Sequence, residues 1–161
     1  MNSVYRSVPK YHNMDVKISM IPENEGELVD IRCHKETDSV REIADFVRSR
    51  QGQLTGMLDG RQYAVAVPEI MYIESVDNRT FIYTASSVYE SRQRIYELED
   101  ILKPKHFLRI SKAALVNLMK ISSVKPALGG RFSAALSNGE EIIISRKYVA
   151  DLKKTLRGEE I

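Results

Sequence analysis

The chain has 161 residues, 24 Lys+Arg against 22 Asp+Glu, and one cysteine. That length holds one domain with a small accessory unit, a lone Cys33 excludes an internal disulfide, and apolar runs of a few residues fall far short of a membrane span. A reducing cytoplasm is the expected compartment.

The net charge of +2 conceals an asymmetry. Residues 103–157 hold 12 basic and 3 acidic groups, whereas residues 1–102 hold 12 basic and 17 acidic ones. A basic C-terminal part points to a polyanion partner, and charge alone leaves DNA, RNA and acidic lipid open.

Residues 1–13 have no period and contain Pro9, which reads as a disordered leader. Met14 opens MDVKISMI and looks like a natural start. Val16, Ile18 and Met20 alternate with polar residues as in a half-buried strand, Pro22 to Gly26 reads as a turn, and Leu28 to Cys33 alternates again. Thr37 or Asp38 caps a helix whose inner face would carry Val40, Ile43, Ala44 and Val47 to about Arg50. Residues 14–52 therefore read as a small β-β-α unit, too small to be secure alone. It is expected to pair with the strands C-terminal to it or with a second subunit.

From Gln53 the pattern is mostly β. Asp59-Gly60 separates LTGML from QYAVAV and predicts a hairpin of the primed-turn kind. Ile70 to Ser75, Thr80 to Thr84 and Ser87 to Tyr89 read as short strands, with a turn at Asp77-Asn78. Ile95, Leu98, Ile101 and Leu102 predict a short helix that stops before Pro104. Strands resume at Val124, at Arg131 to Ser137 and at Glu140 to Ile144, with Asn138-Gly139 as a second hairpin turn. Ser145 is expected to cap a last helix with Val149, Leu152 and Leu156 inside. Many short strands and few helices argue against a helix-turn-helix fold and for a mainly β, α+β domain over residues 53–158.

Several side chains stand where packing does not ask for them. Arg146 and Lys147 open the last helix, an unfavourable place for cations unless an anion or a guanine edge approaches. The alternative is a pair of exposed cations with stems lying on the surface. Lys112 interrupts the apolar run of FLRISKAALVN after Ser111 and needs a water-facing bend or an edge strand. Arg109 fits an inward carboxylate as well as it fits DNA, and Asn117 fits backbone groups at a turn. Asn78 and Arg79 lie in a hairpin turn, where polar residues need no functional explanation.

Catalytic chemistry finds little footing. His12, His34 and His106 have no metal-ligand spacing, and Gly129-Gly130 lacks the Lys-Ser/Thr that would make a phosphate loop. No enzyme activity, cofactor, metal or small-molecule substrate is expected.

VPEIMYIES at Val67 to Ser75, FLRISKAALVN at Phe107 to Asn117, the strand from Ile121, the Asn138-Gly139 hairpin and ISRKYVADLK follow one another in the C-terminal part. In this order and spacing, from about Gln62 to Arg157, they resemble the LytTR DNA-binding domain of bacterial transcription regulators. The resemblance implies short antiparallel strands with small helices that contact double-stranded DNA through loops. It implies that Arg79 or its neighbour Asn78 supplies a contact after the IES strand. It further assigns Lys112 to the position after F-x-R-x-H, and Arg146 to the arginine near the start of the last helix. The family's usual His is Ser111 here, and a commonly phosphate-binding Ser is Ala113, which puts the preferred DNA sequence in doubt. Lys147 and Arg131 would add phosphate contacts.

The same resemblance implies a receiver-less, short regulator, of a class often encoded beside a small multi-pass membrane protein that restrains it. Residues 14–50 would then serve dimerisation or partner docking. The expected function is sequence-specific binding of repeated half-sites by a homodimer. An RNA-binding β domain and a regulator docking to a membrane partner are the alternatives.

Overall fold

The computed structural model describes residues 14–158, so the expected leader at 1–13 lies outside the described residues. The chain divides into one unit ending at Asp30 and a second beginning at Ile31. Within the first unit, residues 14–30 contain neither helix nor strand, and the one turn closes with the Glu25 N–H donating to the Pro22 carbonyl at 3.0 Å. Val16, Ile18, Met20 and Leu28 are exposed. The two N-terminal strands expected at Val16 to Met20 and at Leu28 to Cys33 thus do not form. Alternation gives a strand one face to bury, but a strand also needs a neighbouring edge for its backbone, and among the described residues no strand pairs with these runs.

The second unit begins its regular structure at α1 (Asp38–Arg50), with Thr37 as N-cap accepting from the Val40 N–H at 3.4 Å. The helix covers most of the face expected of it, with Val40 buried and Ala44 and Val47 half-buried. Ile43 departs from that expectation and is exposed, as is Phe46, while Asp45 and Ser49 are covered. Arg48 reaches the covered Asp45 at 3.4 Å and the Thr55 hydroxyl on the next strand at 3.3 Å.

There follow β1 (Gln53–Leu58), β2 (Arg61–Ala66), β3 (Ile70–Val76), β4 (Arg79–Thr84), β5 (Val88–Ser91), α2 (Ile95–Leu102), β6 (Phe107–Ser111), β7 (Ala114–Asn117), β8 (Ile121–Pro126), β9 (Phe132–Leu136), β10 (Glu141–Ile144) and α3 (Val149–Leu156). Seven strands form an antiparallel sheet in the order β2-β1-β5-β4-β3-β7-β6, and three form a second in the order β10-β9-β8. Asp59-Gly60 and Asp77-Asn78 both turn with positive φ at each residue, as a primed hairpin turn requires. At the second hairpin only Gly139 has positive φ, and the Leu136 N–H bonds the Glu140 carbonyl at 2.8 Å.

Two cores sit on opposite faces of the larger sheet's β3-β7-β6 part. One gathers Leu54, Ile73, Ile82, Phe107 and Leu115 under Ile95, Leu98 and Leu102 of α2. The other gathers Met71, Leu108, Ile110 and Val116 against Ala134, Leu136 and Ile144 of the smaller sheet and Val149 and Leu152 of α3. Each fully buried Leu or Ile contributes roughly 1.5–3 kcal/mol. Successive strand residues point to opposite faces, so β6 and β7 feed both cores and read as continuous apolar runs. Leu156, expected inside, is exposed on the last turn of α3.

Candidate nucleic-acid interface

One end of the larger sheet collects the predicted contact residues. There β3 turns at Asp77-Asn78 into β4, and β6 turns at Lys112-Ala113 into β7. The two turns are neighbours, since the Ser75 N–H donates to the Ala113 carbonyl at 2.7 Å. The Ser145 N–H donates to the Ile110 carbonyl at 2.8 Å, which brings the following 3₁₀ turn, Arg146–Tyr148, beside the same end. The loop before β9 also arrives here. A Cβ on Gly130 would lie 3.1 Å from the Cδ of Arg146, and Gly130 has φ +73. The residue must therefore be able to adopt left-handed backbone and leave room for the arginine stem.

The last helix starts differently from expectation. Ser145 occupies the cap position but its hydroxyl makes no cap bond, and Arg146 and Lys147 lie in the 3₁₀ turn that precedes α3. Buried Val149 and Leu152 fix that turn from below.

The cations at this end are in different states. Lys112, Arg146 and Lys147 are exposed, and no carboxylate among the described residues holds them. Lys147 lies over the Tyr148 ring with its Nζ 5.7 Å from the centroid. Arg131 is exposed and donates from Nε to the Leu128 carbonyl at 3.0 Å. Asn78 is exposed at the tip of its turn with φ 61. The Ser111 hydroxyl accepts from the Ala113 N–H at 3.1 Å.

Arg79 is engaged. Its Nε and Nη2 donate to the two oxygens of Glu90 on β5, at 2.9 and 2.6 Å, and its guanidinium lies over the Phe81 ring, 5.2 Å from the centroid. The hydrogen bond from Arg79 holds the Glu90 carboxyl below its ordinary value, and the same bond raises Arg79 above its own.

Two arginines brace the turns, Arg109 from the α2 side of the sheet and Arg94 from the surface. Arg109 donates from Nη1 to Glu99 of α2 at 2.6 Å, from Nε to the Ser111 carbonyl at 2.7 Å, and from Nη2 to the Lys112 carbonyl. The sequence left Arg109 between an inward carboxylate and DNA, and the structure turns it inward. Arg94, at the N-cap of α2, donates from Nη1 to the Asn78 carbonyl, and its own N–H bonds Glu97 at 2.6 Å. Sequence reasoning missed Arg94. The available signal was an arginine just before a helix with Glu97 three residues on, which marks a cap but not the long-range bond. Asn117 does what its sequence position suggested. Buried, it donates to the Ile70 carbonyl at 2.8 Å and accepts from the Met119 N–H at 3.1 Å.

Among the described residues no group of three or more His, Cys, Asp and Glu could hold a metal ion, and no helix is long and apolar enough to cross a membrane.

The model of the LytTr DNA-binding domain matches residues 60–157. The chain belongs to the LytTR family of DNA-binding domains. It is thus a DNA-binding regulator of transcription by family, and the mainly antiparallel β architecture is the family's own. The solved LytTr DNA-binding domain of a Bacillus cereus response regulator superposes with a TM-score of 0.62 at 23% identity, covering 65% of this chain and 96% of that one. A Staphylococcus aureus (strain NCTC 8325 / PS 47) protein named as an HTH-type transcriptional regulator is 28% identical over 130 residues, 80% of this chain and 88% of its own length. Its counterpart in strain MSSA476 is 27% identical over the same length. In this LytTR chain five strands separate α1 from α2 and five more separate α2 from α3, so the described residues form no helix-turn-helix.

Proposed function

We propose that this chain is a cytoplasmic transcription regulator, not an enzyme, that reads two repeated half-sites of double-stranded DNA as a homodimer. Loops at one end of the larger sheet would enter adjacent major grooves. The observation that carries this reading is the convergence of exposed cations without carboxylate partners, Lys112, Arg146 and Lys147, on turns fixed from behind. Packing needs none of them there, and a polyanion needs all of them.

Arg146 reads a base edge, for which its planar fork suits guanine at ~1–3 kcal/mol of discrimination. Lys112 contacts phosphate or a base, with the Ser111 hydroxyl free to donate beside it. Lys147 and Arg131 bind phosphate. At the β3–β4 turn the contact falls to Asn78, because Arg79 is occupied by Glu90. The dimer draws support from the apolar side chains left uncovered on α1, Ile43 and Phe46. The same exposure favours a second reading, in which a small multi-pass membrane protein docks there.

Selection from a random duplex pool tests the reading, with the wild-type protein and with Arg146→Ala. A motif enriched in two copies at fixed spacing and lost in the variant is the expected result. Salt-sensitive binding without sequence preference would reject base reading by Arg146 and move partner docking to first place. Preferential capture of single-stranded RNA over duplex DNA would make the chain an RNA-binding β domain instead.

A further inference from the structure

The turn between β6 and β7 differs from the other tight hairpins in having no left-handed residue, and locally it is shaped by the Ser111 hydroxyl, which accepts from the Ala113 N–H at 3.1 Å. Asp59-Gly60 and Asp77-Asn78 hold left-handed backbone, whereas Lys112 and Ala113 both have negative φ. The β6–β7 ladder also slips its register between Arg109 and Ser111, and such an irregularity leaves backbone groups without ladder partners. A turn of this kind takes its conformation from whatever binds its free carbonyls.

We propose that Arg109 is a positioning residue for DNA reading, and that through its guanidinium α2 sets the direction in which Lys112 leaves the protein. The proposal rests on the reading of Lys112 as a DNA contact. Phe107 faces α2, so two residues on Arg109 faces it too. The Arg109 side chain is 16% exposed. One planar cation thus closes on three acceptors at once: the Glu99 carboxylate behind it and two successive carbonyls in front, Ser111 and Lys112. Fixing the carbonyl of Lys112 fixes its peptide plane, and with it the Cα–Cβ direction of an ammonium that nothing else holds. A lysine at 109 could not span these acceptors, because an ammonium lacks the fork. Arg109 itself is a poor phosphate contact, since three of its five donors are engaged by protein acceptors and its charge is matched by Glu99. Arg94 gives α2 the same hold on the Asn78 carbonyl, so one helix braces both turns.

A double-mutant cycle on the full chain tests this, using a duplex selected by the wild-type protein and fluorescence anisotropy. Lys112→Ala and Arg109→Gln should each weaken binding about tenfold, and the double variant should be no more than about twofold weaker than Lys112→Ala alone. The dependence of log K on log salt should flatten by roughly 0.9 in each single variant and by no more in the double. Glu99→Gln, which changes one atom of the carboxylate, should lose affinity in the same coupled way to a smaller extent. It decides the matter if Arg109→Gln does not fold. Losses that multiply to about a hundredfold, with slope changes that add, would overturn the proposal by making Arg109 a contact in its own right. Wild-type affinity in both Arg109→Gln and Glu99→Gln would overturn it as well. If the wild-type protein selects no duplex, the DNA reading fails before any variant is made, and the proposal falls with it.

Discussion

Glu90→Gln isolates the state of Arg79. In the free protein Arg79 and Glu90 form a two-point ion pair, so the pair presents no net charge to DNA. A cation that neutralises a phosphate steepens log K against log salt by ~0.9, and a cation that keeps its own carboxylate adds nothing. Removing both partners, Arg79→Ala together with Glu90→Gln, should therefore leave the slope nearly unchanged. Glu90→Gln should release Arg79 beside the Asn78 turn and steepen the slope by ~0.9 per domain. Between about 50 and 200 mM salt that change amounts to roughly 3.5-fold more affinity lost by the variant than by the wild type. Anisotropy titrations over this range, with Lys147→Ala as the reference for one phosphate contact, measure it directly.

The pair also leaves a signature in the free protein. Arg79 holds the Glu90 carboxyl below its ordinary value, so the stability it contributes is present above the unfolded carboxylate pKa and lost as pH falls through the lowered one. A titration of Glu90 by NMR should show the low midpoint, and Arg79→Ala should raise it. If the double variant Arg79→Ala with Glu90→Gln flattens the salt slope as much as Lys147→Ala does, the pair opens on DNA, and the assignment of the turn's contact to Asn78 alone is refuted.

Asn117→Ala strips partners from the Ile70 carbonyl and the Met119 N–H at a buried site, and two orphaned groups should cost about 2–4 kcal/mol in urea unfolding. A loss under about 0.5 kcal/mol would mean that the site relaxes to satisfy both groups without the amide. Gly130→Ala meets both a left-handed φ and the Arg146 stem, so it should weaken specific DNA binding and should cost little more in an Arg146→Ala background. Independent, additive losses would show that the loop does not act through Arg146. Tyr72 and Tyr83 stack across β3 and β4 with centroids 4.3 Å apart. Burial, with Glu140 and Glu74 nearby, raises both phenols above their ordinary value. Their contribution to stability should persist below the unfolded phenol pKa and fade as pH rises toward the raised folded ones, and Tyr72→Phe should lessen that alkaline loss in thermal melts.

The hairpins were legible wherever a turn residue had to be left-handed. Asp59-Gly60 and Asp77-Asn78 carry their geometry in their own side chains, and α2 ended where Pro104 required it. Alternation in residues 14–33 was read as strands and misled, because the period of a strand says which face is apolar but not whether an edge is available. Lys112 stood out as a cation in an apolar run, and Arg146 as a cation at the start of the last helix. The pairing of Arg79 did not, because Glu90 lies eleven residues away and becomes a neighbour only through the register that sets Phe81 opposite Glu90. Arg109 was ambiguous for a related reason. Its partner Glu99 is on a helix whose placement depends on the core beneath it.

FLRISKAALVN hid its hairpin for a physical reason that bears on what the segment does. It has no Gly, Asn or Asp at the turn itself, and its apolar residues show no period of two because β6 and β7 are buried on both faces. A strand pair gripped by two cores is a stiff mount, and Lys112 stands at its tip. A half-exposed hairpin would have been easier to read and would have let the tip move, at a cost in entropy each time DNA fixed it. Arg109 completes the mount where the cores cannot reach, at the two carbonyls beyond the last buried residue, Ile110. The double-sided apolarity that obscures the strands and the inward arginine that breaks the apolar run therefore serve one end: a short, featureless turn presents its cation in a fixed direction.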